Sequence, residues 1–181
     1  LSSSSYLKND ELSEPHVEFD DLLSHSDGVA VFSGTIFGLF GKLFDKGKFS
    51  EIDEVYKKLK STYKDRFYIE IQRHNDLNEI SFEKFNLNKS SILEIPLIAT
   101  NETFYINKDI YEAHDALICI KNKTYINEKN RIKLSDQHYF KNDIEMSKLF
   151  SDIPEALENN YNFPYRCSFR PTSSKPILPN I

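Results

Sequence analysis

Little in this chain marks a metal clasp, a disulfide scaffold or a membrane span. Its two cysteines, Cys119 and Cys167, stand far apart with no CxxC or HxxxH companion, a poor match to zinc-finger spacing and a poorer one to a disulfide framework. No apolar run approaches bilayer length, and no basic-then-apolar leader precedes the first helical segment. The expected compartment is the cytoplasm. Positive charge is also short: 23 Lys and Arg face 28 Asp and Glu, a formal net charge of -5. Non-specific nucleic-acid affinity comes mostly from basic side chains displacing counterions, so any DNA contact by this segment has to be local. There is no phosphate-cradling glycine loop, no Ser-His-Asp set and no HExxH site. The chain opens without methionine, at Leu1-Ser2-Ser3, which suggests a truncated reading frame or an excised piece.

What is present is enough for one core: 181 residues, 39% of them hydrophobic. The organising stretch is Ile95 to Tyr105, an apolar run opened by Pro96 and closed by Thr100-Asn101-Glu102. It reads as a buried strand whose C-terminal end delivers polar side chains into a crevice. Gly28 to Ser33 and Phe67 to Gln72 repeat the design. Three such strands separated by helices imply an α/β fold with parallel pairing, bringing Ser33-Gly34-Thr35, Gln72-Arg73-His74 and Asn101-Glu102 toward one face. Helices are predicted over Val17 to Ser26, Phe37 to Lys46, the segment from Ser50 through Tyr63, residues 77 to 93, Asp109 to Lys121, Asn142 to Phe150, and from Pro154 onward. Ser50-Glu51-Ile52-Asp53 has the capping-box form, and Asp152-Ile153-Pro154-Glu155 has a cap, a first-turn proline and a returning glutamate. Residues 1 to 16 read as a surface connection. On the Asp109 helix, Ile110, Ala113, Leu117 and Ile120 fall at helical spacing.

The candidate chemical residues each have a plainer reading. His74 after Arg73 could bind an anion or act as a base, but a strand-terminal pair bonded to loop carbonyls carries about three times the weight, because no carboxylate partner is evident nearby in sequence. His114-Asp115 are adjacent on a helix and do not face the same way. His16, His25 and His138 lie in polar surroundings, where solvent exposure is the default. Glu70 lacks a second carboxylate at fixed spacing. Lys57, Lys58 and Lys60 form a solvated helix face. Cys119 reads as a reduced core thiol.

Taken together in order, Glu14-Pro15-His16, Ser26-Asp27-Gly28-Val29, Phe67 to His74, Ile95 to Glu102, Tyr111 to Leu117, Met146 to Leu157 and Lys175 to Pro179 resemble the PHP domain of the bacterial replicative DNA polymerase III alpha subunit. The resemblance implies a distorted PHP-type (βα) barrel of which this chain is the C-terminal portion, residues 1-170, its N-terminal strands missing. Residues 171-181 would be an exit linker toward an absent polymerase core, which would hold the Mg2+ of nucleotide transfer. The implied partners are the other holoenzyme subunits, notably the proofreading exonuclease, and DNA through absent domains, with no membrane contact.

The resemblance also marks three metal-site positions. Metal-competent relatives place cysteine or histidine where this chain has Thr35, and Asp-x-His where it has Glu102-Thr103-Phe104. Threonine is a poor zinc ligand and phenylalanine has no lone pair. A degenerate site with no bound cofactor follows, Phe104 filling the space of the metal as part of a packed core. The alternative is a metal-dependent phosphoesterase or pyrophosphatase.

Overall fold

The computed structural model describes residues 1–7 and 14–173. Three strands, β1 (Val31–Phe32), β2 (Phe67–Ile71) and β3 (Leu97–Ala99), form a parallel sheet in the order β1-β2-β3. Val31 stands opposite Phe67, and Ile69 and Ile71 stand opposite Leu97 and Ala99. The α/β class and parallel pairing follow the sequence reading. Among the described residues the sheet is a three-stranded one.

Helices α1 (Ser2–Leu7), α2 (Phe19–Ser24), α3 (Leu39–Asp45), α4 (Phe49–Tyr63), α5 (Glu79–Leu93), α6 (Tyr111–Asn122), α7 (Asp143–Leu149) and α8 (Pro154–Arg166) surround it. Four α4 residues at helical spacing, Ile52, Tyr56, Leu59 and Tyr63, are buried with Phe67, Ile69 and Ile71 of β2 in one apolar core. That burial, more than helix propensity, holds α4 in place. β3 lies at the other side, where Asn159 and Asn160 of α8 donate to the Leu97 and Ala99 carbonyls at 2.8 Å and 2.7 Å. These side chains satisfy backbone acceptors that β2 does not reach.

Several local expectations are corrected. Residues 2 to 7 of the expected surface connection lie at the surface but form a helix, with no buried residue; residues 8–13 of that stretch lie outside the described ones. α4 begins at Phe49 with Lys48 as N-cap, so Ser50 is inside the helix and caps nothing. The Phe49 ring packs on Phe44 and Phe85, which draws the helix start upstream. Asp152 does not cap α8, whose N-cap is Ile153, because its carboxylate is held by Arg73. The α6 stripe faces outward: Leu117 is 62% and Ile120 73% exposed, while Asp115 and Cys119 are buried. Asp115 is drawn inward by Arg131, whose guanidinium grips both of its oxygens at 2.5 Å and 2.6 Å. Where the sequence predicts a helix from Asn142, that residue is the N-cap of α7 and forms a capping box with Glu145. Of the proposed exit linker, residues 171–173 have no regular structure, and Pro176, Pro179 and the Lys175 to Pro179 block lie outside the described residues.

Candidate functional site

The C-terminal ends of the strands do converge, and the polar groups there are tightly committed. Past β2, Arg73 reaches Glu83 of α5 at 2.5 Å, Asp152 at 2.7 Å and 2.8 Å, and the Leu149 carbonyl at 2.6 Å, its guanidinium 4.9 Å from the centre of the Phe150 ring. Bonds to Asp152 and then Glu83 raise its pKa above the ordinary arginine value. Arg73 is therefore a strut between the sheet and the α7–α8 junction. Glu70 is equally occupied, accepting from Gln72 at 3.1 Å and from the Thr100 hydroxyl.

The next residues turn sharply. Asn75 and Asn78 have φ of +63° and +64°, the left-handed region that asparagine tolerates. The turn is closed by Glu79, whose carboxylate accepts the backbone N–H groups of His74 and Asn75 at 2.8–2.9 Å. This places the His74 ring, 1% exposed, under the loop that carries His138. The two rings stack 4.0 Å apart and 4° from parallel. His138 is held by a short parallel pairing, in which Phe104 N–H donates to the His138 carbonyl and Phe140 N–H to the Tyr105 carbonyl, each at 2.9 Å. Asn101 joins the parts: its Oδ1 lies 3.1 Å from His74 Nε2 and accepts from Lys141 Nζ at 3.0 Å, while its Nδ2 donates to the Tyr139 carbonyl at 2.8 Å. Burial, and then the neighbouring His138 and Lys141, push the His74 pKa down to about 4. Burial likewise lowers Lys141.

His74 and His138 thus depart from the sequence reading. His138, which its polar neighbours place at the surface, is 0% exposed, because its ring is clamped between His74 and the 102–105 segment. His74 has carboxylates close by after all, Glu79 at 3.7 Å from Nδ1 and Asp76 in the same turn. The signal lies in the spacing His74-x-Asp76 on a turn; nothing in sequence links it to His138, which arrives from beyond α6.

The three positions marked by the resemblance have different surroundings. Thr35 lines a cleft of about 20 Å³ with Glu70, Gln72 and Glu79, room for roughly one water. Glu102 is half-exposed with Oε2 3.8 Å from His138 Nδ1. Phe104 is 47% exposed, its ring 5.4 Å from that of His138 and 5.6 Å from that of His114. The expectation that Phe104 makes a packed core is therefore corrected: it lies over the histidine stack as a partial cover, and the interior below is filled by His74 and His138. Phenylalanine offers no donor there, so Thr35, Glu102 and Phe104 do not fit a transition-metal site. His16 and His25 are exposed as expected. Among the described residues no helix is long and apolar enough to cross a membrane.

Comparison with known proteins agrees with the resemblance. Residues 1–74 match the PHP domain family. The whole chain is 36% identical to the DNA polymerase III subunit alpha of Caulobacter vibrioides and of Rickettsia prowazekii, and 30% identical to that of Vibrio cholerae. The chain spans 15–16% of the length of these relatives.

Proposed function

We propose that this chain, whose residues 1–74 match the PHP domain family and which is similar along its whole length to DNA polymerase III subunit alpha proteins, serves as a structural and interaction module of a replicative DNA polymerase. In this reading residues 1-170 are part of a distorted (βα) barrel completed by strands outside the chain. The parent protein is a DNA-directed DNA polymerase of the cytoplasm, with Mg2+ and the nucleotide-transfer residues in a core outside this segment. The proofreading exonuclease and the other holoenzyme subunits are its partners.

The observation that carries the reading is the state of the three marked positions. Thr35 sits in a one-water cleft, Glu102 faces His138 from the surface, and Phe104 has no lone pair. A phosphoesterase needs an ion-activated water with space for a phosphoryl group beside it, and this arrangement supports neither. In the full-length protein, removal of this segment is expected to abolish co-elution of the exonuclease subunit. Glu102→Gln is expected to leave Mg2+-dependent primer extension unchanged. Phosphoester hydrolysis by the full-length protein that disappears on Glu102→Gln would replace this reading with the phosphoesterase.

A further inference from the structure

We propose that His138, Asp76 and His74 form a binding site for a zinc-class transition-metal ion, separate from the positions Thr35, Glu102 and Phe104. One ring nitrogen from each histidine and a carboxylate oxygen of Asp76 lie within 4.8 Å of one another. The inference goes beyond the proposed function, which assigns this segment no ion.

The first support is the tautomer of His138. Its Nδ1 lies 3.2 Å from the Glu102 carbonyl oxygen, which can only accept, so Nδ1 carries the hydrogen and the neutral ring turns a lone pair out through Nε2. That hydrogen bond from one ring nitrogen to a backbone carbonyl is the arrangement that orients a metal-ligating histidine. The second, independent support is that Nε2 is buried with no hydrogen-bond partner, in a residue 0% exposed. An orphaned buried acceptor has lost its water without gaining a partner, and a cation removes that cost.

The third support is distance. Asp76 Oδ2 stands 3.7 Å from His138 Nε2, too long for a hydrogen bond. Zinc binds nitrogen and oxygen at about 2.0–2.2 Å, so two ligands of one ion stand at most about 4.3 Å apart. The gap therefore matches a bridged pair. Parallel rings cannot both aim in-plane lone pairs at one ion, so for His74 to give the third donor its ring has to turn from the stacked orientation seen here. The surrounding charges favour a cation: the carboxylates of Asp76, Glu79 and Glu102 face the histidine pair, against the single ammonium of Lys141.

The test uses the full-length natural protein that contains this segment, freed of metal with chelator and titrated with Co2+ and Zn2+. One equivalent of Co2+ with the visible absorption of a nitrogen-ligated, low-coordinate ion is expected, displaced by Zn2+. Asp76→Asn, which preserves shape, and His138→Asn should each weaken binding at least tenfold, while Thr35→Ala should not change it and Glu102→Gln, which removes only a flanking charge, should weaken it less than Asp76→Asn does. A melting curve for each variant identifies any that fails to fold, and Asp76→Asn alone then decides. Absence of binding by the wild-type protein, or equal binding by Asp76→Asn, overturns the site. Loss on Glu102→Gln with Asp76→Asn unaffected also overturns it, and would reopen the marked positions instead.

Discussion

The Tyr56 hydroxyl donates to Asn86 Oδ1 at 2.9 Å in the centre of the core, tying α4 to α5. The Asn86 Nδ2 has no hydrogen-bond partner, so that amide has one bond holding it and no spare. Tyr56→Phe removes the donor without opening a cavity and should cost about 1–2 kcal/mol in chemical denaturation. At Asp115 the hydrogen bonds from Arg131 hold the carboxyl below the ordinary carboxylate range. A group with a depressed folded pKa contributes stability above its unfolded value, here 3.8, and loses it as pH falls through the folded value. Asp115→Asn is therefore expected to melt below the wild type at neutral pH, with the difference shrinking as pH drops under 3.8. A difference constant across that range would refute the pairing. The burial of Asp115 is invisible in sequence because Arg131 lies in a polar loop that no periodicity reads.

At the scale of elements, α3 shows how close backbone approach fixes a glycine. A Cβ built on Gly41 would stand 1.9 Å from the Ile36 carbonyl oxygen, so α3 must shift to accept any side chain. Gly41→Ala is expected to destabilise by about 2–3 kcal/mol, whereas Gly47, with φ +69° but open space around it, should lose only about 1 kcal/mol on the same change. Thermal melts of the pair separate packing from backbone conformation. The helices with the plainest apolar spacing, α4 above all, are legible in the sequence, since Ile52, Tyr56 and Leu59 can share a face in only one conformation. α6 is legible as a helix and illegible in orientation. Its stripe of Ile110, Leu117 and Ile120 points outward, and only packing reveals that Tyr111 reaches back to the Leu134 carbonyl while Cys119 faces in.

For the whole molecule, edges and exposed apolar surface matter most. β3 has its outer carbonyls satisfied by α8, while β1, two residues long, pairs only with β2 among the described residues. Beside it a cavity of about 660 Å³ is lined by Val29, Ala30, Arg66, Phe163 and Arg166. Leu117, Ile120, Tyr125 and Ile126 are exposed elsewhere on the surface. The isolated chain is accordingly expected to be only marginally stable and to unfold with low cooperativity. Calorimetry of the isolated segment should give a broad transition at low temperature; a sharp transition at high temperature would contradict it.

The amino-acid order alone determined the alternation of strand and helix, the parallel sheet, the core face of α4 and the poor donor chemistry of Thr35 and Phe104. Each of these is a property of local spacing or of a side chain's own chemistry. Tertiary structure alone decided that Phe104 covers a histidine pair and that Asp152 serves Arg73 instead of α8. It also decided that His74 and His138 stack in the interior with Asp76 beside them. Residues so far apart in the chain meet only when the turn at Asn75 and the 138–140 pairing close together, and no sequence period encodes that meeting.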